Sequence, residues 1–122
     1  MIKGIGTDII EISRIENSMN NPKFLEKNFT VSENEYFQSK HMKPQSVAAC
    51  FAAKEAFSKA LGTGIAGFSL SDVEVLHNEC GAPYIRLYNN AKGLCGNKKV
   101  HLSLSHSHKY ATAVVIIEED IL

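Results

Sequence analysis

Gln45-Ser46-Val47-Ala48-Ala49-Cys50-Phe51-Ala52-Ala53-Lys54-Glu55-Ala56-Phe57-Ser58-Lys59-Ala60-Leu61 is the stretch on which the fold turns. It is rich in Ala, Lys, Glu and Leu, which lose little on entering a helix, and Pro44 before it suits a first helical position. It is the strongest helix in the chain, and Gly62, Gly64 and Gly67 end it in a loop. At 100° per residue, with Glu55 at zero, Lys59 falls about 40° away. Cys50, Ala53, Phe57, Ala60 and Leu61 fall between about 140° and 240°. The apolar stripe therefore lies opposite Glu55.

On the N-terminal side of this helix, Ile2 to Ile12 is an apolar stretch punctuated by Gly4, Gly6 and Asp8, and reads as a first strand. Ser13 and Glu16 have capping-box spacing and predict a short helix that stops near Asn20-Asn21-Pro22. Lys23 to Phe29 supplies another helical turn or two. Ser32 and Glu35 repeat the box and predict a helix through Lys40. On the C-terminal side, Asp72 to His77 alternates like a strand, Asn78-Glu79-Cys80-Gly81 is turn chemistry, and Pro83 to Tyr88 returns. Asn90 to Cys95 predicts a helical turn or two. Val100 to Ser105 and Tyr110 to Glu118 read as two more strands joined by a short turn at His108-Lys109. The last strand is apolar on both faces, so it is expected to be central or covered. Strands at both ends and helices clustered early predict an α+β fold, an antiparallel sheet with one long helix and shorter ones.

The whole chain, 122 residues with 44% apolar side chains, is one domain's length. Thirteen acidic and thirteen basic side chains balance, so a general nucleic-acid binder is not expected. No apolar run approaches the ~20 residues of a membrane span, and the N-terminus lacks the apolar core of a signal peptide. Cys50, Cys80 and Cys95 form an odd set without a CxxC pair, as free thiols in a reducing cytosol would. His101, His106 and His108 lie close in sequence, but no cysteine pair accompanies them to complete a zinc site. The expectation is a cytoplasmic protein.

Three segments could carry chemistry. Glu55 and Lys59 could be no more than a solvated i,i+4 pair, worth ~0.3–0.5 kcal/mol. Phe51, within about 40° of Glu55, and the small Ala52 and Ala56 argue against a plain solvated face. Such neighbours admit another backbone or a ligand. Asp8 stands among apolar residues, where a carboxylate is costly unless it is paired or binds a cation; the plain alternative is a strand end facing water. His101, Ser103 and Ser105 share one strand face, and His106 follows, a polar strand end that could take phosphate oxygens.

Taken together, these segments resemble the short, AcpS-type 4'-phosphopantetheinyl transferases, the holo-acyl-carrier-protein synthases. Gly4-Ile5-Gly6-Thr7-Asp8-Ile9-Ile10-Glu11-Ile12 resembles the family's opening. Phe51-Ala52-Ala53-Lys54-Glu55-Ala56-Phe57-Ser58-Lys59-Ala60-Leu61-Gly62-Thr63-Gly64 resembles its most specific block. Gly81-Ala82-Pro83 resembles its G-x-P turn, and His101 to Ser107 its His-containing strand. The likeness covers essentially the whole chain.

The resemblance implies transfer of 4'-phosphopantetheine from coenzyme A to a serine of apo-acyl carrier protein, for fatty acid synthesis, with adenosine 3',5'-bisphosphate as the other product. It implies magnesium on Asp8 and Glu55, and Lys59 beside the coenzyme phosphates as a catalytic residue. Coenzyme-binding positions are Lys54, Lys59, Ser105 and His106. The serine's proton goes to Glu55 or to a metal-associated water. Larger relatives carry two copies of the fold with the site between them. This chain carries one, so a homotrimer with sites at its interfaces is implied, the last strand taking part in the contact. Two departures stand out. Ala49-Cys50 replaces a frequent Gly-Arg, so an arginine contact is missing or supplied by Lys43 or Lys54. The helix after the first strand keeps only Arg14 to meet an acidic carrier, with Lys23 and Lys27 further on. A non-catalytic coenzyme A or nucleotide-binding regulator on the same scaffold is the alternative; retention of both carboxylates and Lys59 argues against it.

Overall fold

The computed structural model describes residues 1–62 and 67–120. Thr63 and Gly64 of the expected loop lie outside the described residues. Strand β1 (Ile2–Glu11) runs into α1 (Ile12–Ser18), followed by α2 (Pro22–Asn28), α3 (Val31–Ser39) and the long α4 (Pro44–Leu61). A 3-10 turn at Leu70–Asp72 leads into β2 (Val73–His77) and β3 (Pro83–Leu87), then α5 (Asn89–Cys95), β4 (Lys99–His106) and β5 (Tyr110–Glu118). The fold is α+β, with two antiparallel sheets: β1-β5-β4, and the hairpin β2-β3.

Strand β5 is central, as its two-sided apolar sequence requires. Its Ala111, Ala113, Val115 and Ile117 are buried on the face that α4 covers. Helix α4 is buried far beyond its expected stripe. Lys59 is its one exposed residue, because α4 packs on β1 and β5 and also meets α1 and the start of β2. The small residues beside Glu55 admit a backbone. A β-carbon on Gly6 would collide with the carbonyl of Ala56, and one on Gly4 with that of Ala60. These two glycines let β1 lie directly on the helix and bring Asp8 beneath it.

Two expected helix caps shift. Helix α1 starts at Ile12, one residue ahead of Ser13, because β1 continues to Glu11 and the Ile12 N–H bonds the Lys109 carbonyl at 2.9 Å. The capping box of α3 is Thr30 with Glu33, not Ser32 with Glu35. The Thr30 hydroxyl accepts from the Glu33 N–H at 3.2 Å, and the Glu33 carboxylate accepts from the Thr30 N–H at 2.9 Å. Glu33 is buried, and its other partners hold the box in place. Lys54 donates to it at 2.8 Å, both side chains being at most 1% exposed. Loss of either charge would strand the other, at a cost of about 3–5 kcal/mol. At the hairpin tip, the Asn78 side chain accepts from the Cys80 and Ala82 N–H groups at 2.9 Å each, making the expected turn.

Candidate active site

Asp8 is not at a strand end. It lies within β1, opposite Ala113, with its side chain 16% exposed. Helix α4 runs above it, so the 3.6-residue period delivers Glu55 and Lys59 together to the free edge of β1. Lys59 reaches past Glu55: its ammonium donates to the Asp8 carboxylate at 3.1 Å and to the Thr7 carbonyl at 2.9 Å. The lysine side chain is 55% exposed, so the pair adds little stability. Its consequence is a positive charge held over the strand edge.

Glu55 is half-buried. Burial pushes its carboxyl above the usual carboxylate range, the charge of Asp8 pushes it further, and Lys59 pulls it back. Two carboxylates in each other's field, with a single lysine between them, suit a hard cation. Among the described residues no group of three or more His, Cys, Asp or Glu side chains is gathered. A cation here would complete its shell with water and substrate oxygens. That fits magnesium, which commonly takes one or two carboxylates plus phosphates.

The structure does not bring Ser105 and His106 to this cluster. Ile9, Thr112 and Ser105 form one row across the sheet, and Ser105 is exposed. The strand period places Ser105 on the outer face, away from α4, and His106 on the α4 side. His106 lines a cavity of about 170 Å³ with Tyr36, Gln45, Cys50 and His77. Cys50 is about 140° around α4 from Glu55, so the helix stands between this cavity and the two carboxylates. The stacked Tyr36 and His77 rings, 4.1 Å apart, form part of its lining. Burial, with Lys40 nearby, lowers the His77 pKa.

Lys54 is corrected. It is fully buried, and its three protons go to Glu33 Oε1, the Leu70 carbonyl and the Val73 carbonyl. No surface remains for a coenzyme, so Lys54 is neither a coenzyme ligand nor a substitute for the absent arginine. Cys50, at the arginine's position, is a buried thiol donating to Glu33 Oε2 at 3.1 Å. Burial and the charge of Glu33 raise its pKa well above the ordinary value, so it stays protonated. Lys43, the residue before α4, is exposed. Arg14 is exposed on α1, and Lys23 and Lys27 on α2. Sequence reasoning missed Glu33, whose capping role depends on Thr30, and Gln45 and Tyr36 at the His106 cavity, which carry no motif.

This fold, with Asp8 of an edge strand meeting Glu55 and Lys59 of the helix packed on it, describes an α+β protein suited to phosphoryl chemistry. The sequence pattern of the 4'-phosphopantetheinyl transferase superfamily matches residues 4–115. The chain belongs to that family. It is 50% identical over 127 aligned residues to a holo-[acyl-carrier-protein] synthase of Clostridium perfringens, covering 97% of this chain and 95% of the other. A holo-(acyl-carrier-protein) synthase of Bacillus anthracis, solved in complex with CoA (3',5'-ADP), superposes with a TM-score of 0.84 at 40% identity, covering 98% of this chain and 99% of that one. The Helicobacter pylori enzyme, solved in complex with coenzyme A, gives 0.83 at 35% identity, covering 93% and 99%.

Proposed function

We propose that residues 1–122 work as one domain that transfers 4'-phosphopantetheine from coenzyme A to a serine of apo-acyl carrier protein. The observation that carries this is the meeting of Asp8, Glu55 and Lys59 at the β1 edge. Family membership and the relatives solved with coenzyme A support the choice of substrates.

In this reading Asp8 and Glu55 hold a magnesium ion, which when bound supplies a Lewis acid for the pyrophosphate and its developing charge. Lys59 sets a further positive charge beside the same phosphates. The serine oxygen attacks the phosphorus that carries pantetheine. The bond from that phosphorus to the bridging oxygen breaks, and adenosine 3',5'-bisphosphate leaves. Glu55 or a metal-associated water takes the serine proton. His106 holds the coenzyme from the far side, with Lys43 in place of the absent arginine, and Ser105 meets it at the strand end, where the two residues line one groove.

One chain cannot bring both halves to one coenzyme, because α4 stands between Glu55 and the His106 cavity. We therefore infer a homotrimer with each site shared across an interface. The outer sheet face supports this: Ile5 and Ile9 are each 64% exposed beside Val114 of β5. We place the protein in the cytoplasm, where its free thiols, carrier and coenzyme coexist, serving fatty acid synthesis. No helix among the described residues is long and apolar enough to cross a membrane.

Mass spectrometry of apo-acyl carrier protein incubated with the protein, coenzyme A and magnesium tests the activity. One phosphopantetheine added to serine is expected; coenzyme binding without any mass gain would leave only the regulator. Docking has its own test. The carrier is acidic, and Arg14 stands at the start of the helix leaving the Asp8 strand. Arg14→Ala is expected to raise KM for the carrier about threefold to tenfold, less at high salt, with KM for coenzyme A nearly unchanged. Equal changes in both constants would remove Arg14 from the docking surface.

A further inference from the structure

The contact that sets Glu55 against Asp8 is unusual in kind. Helix α4 meets β1 through Gly4, Gly6, Ala56 and Ala60, backbone against backbone. Such a contact fixes how deep the helix sits. Apart from the Lys59 bonds to Asp8 and Thr7 it is backbone on backbone, so the rotation of the helix is set mainly by what its other faces meet. A rotation of about 20° at the ~6 Å radius of a carboxylate would move Glu55 by about 2 Å, more than a metal site tolerates.

Lys54, the neighbour of Glu55, supplies a directional restraint on one of those faces. Its ammonium is held at 2.8 Å by Glu33 of α3, at 2.9 Å by the carbonyl of Leu70 and at 2.5 Å by that of Val73. Three protons meet three acceptors, all outside α4. The anchor is itself fixed: the Glu33 carboxylate also accepts from the Thr30 N–H at 2.9 Å, the Val75 N–H at 2.7 Å and the Cys50 thiol at 3.1 Å. Burial alone does not call for this arrangement, since apolar side chains of similar volume fill such space at no loss of stability. A directional tripod does what an apolar filler cannot, which is to hold an angle.

We propose that Lys54 is a positioning residue for the metal site, fixing through Glu33, Leu70 and Val73 the rotation of α4 that aims Glu55 at Asp8. This rests on the reading of Asp8 and Glu55 as magnesium ligands. The test is manganese binding to the purified protein, followed by electron paramagnetic resonance. The variant is the double substitution Glu33→Gln with Lys54→Met, which removes both buried charges together. Manganese affinity is expected to fall about tenfold or more, as when a metal ligand loses its supporting partner. KM for coenzyme A at saturating magnesium is expected to stay within about twofold, and excess magnesium to recover part of kcat. A purely structural role would move the melting temperature and leave manganese affinity alone. Affinity within about twofold of the parent in a variant with native circular dichroism overturns the proposal. If the double variant does not fold, Lys54→Arg decides. It keeps the buried ion pair, but a longer planar guanidinium does not meet the same three acceptors, so manganese affinity is expected to drop about threefold, and an unchanged value overturns the proposal. Glu55→Gln, run alongside, separates the two readings. Manganese binding that survives Glu55→Gln overturns the metal site itself and this inference with it. Manganese binding lost there but kept in the double variant overturns this inference alone.

Discussion

Glu55→Gln is expected to abolish transfer, with kcat falling about a thousandfold, while making the folded protein more stable at neutral pH. The first effect follows from the loss of a cation ligand. Charge stabilisation by a bound metal amounts to several kcal/mol, and each 1.36 kcal/mol is a factor of ten in rate. The second follows from the direction of the Glu55 shift. Its folded pKa lies above the ordinary carboxylate value, through burial and then the charge of Asp8. Ionising it therefore costs the folded state. That cost is absent below the ordinary value near 4.3, grows as pH rises from there to the folded pKa, and is complete above it. Glutamine removes it, so the melting temperature without magnesium is expected to rise about 2 °C at pH 8 and not at all at pH 4. Asp8→Ala is expected to lose transfer to a similar degree and to return the Glu55 pKa toward its ordinary value, readable by titration of the carboxyl carbon. Either variant retaining near-normal rates at low magnesium would remove that residue from the metal site.

Mixing two inactive variants is expected to restore activity. Asp8→Ala leaves the His106 cavity intact, and His106→Ala leaves the carboxylate edge intact. If every site takes Asp8 and Glu55 from one chain and His106 from its neighbour, a mixed trimer contains sites spared by both substitutions. Random assembly of equal amounts around a head-to-tail ring leaves about one site in four complete, so about a quarter of the parent rate is expected. Val114→Lys, in the middle of the outer face, is expected to yield monomers by light scattering and to abolish this recovery. Mixtures no more active than their components would place the whole site within one chain. A fully active monomer would remove the trimer.

Much of this was legible along the chain. Helix α4, the β2-β3 hairpin and the paired β4 and β5 follow from composition, alternation and turn chemistry. The central place of β5 follows from its apolar pattern on both faces. Asp8, Glu55 and Lys59 could be singled out because a carboxylate among apolar residues, and a charged pair beside an aromatic, each ask for a partner. Helix starts were less legible. Ser13 and Ser32 have capping spacing as good as that of Thr30. The choice was made by Lys109, which takes the Ile12 N–H, and by the burial of Glu33.

The sequence by itself determined the α+β class, the long helix and the identity of the acids and the lysine at the β1 edge, because those depend on local periodicity and residue chemistry. The tertiary structure decided the partners. It gave Lys59 to Asp8 and turned Lys54 inward to Glu33, although the two lysines stand five residues apart on one helix. It also set Ser105 on the outer sheet face and His106 beyond α4, away from the carboxylates. The reason is physical. Which face of a helix or strand becomes inside is fixed by what packs on it, here β1 pressed on α4 through two glycines, and no local pattern carries that information.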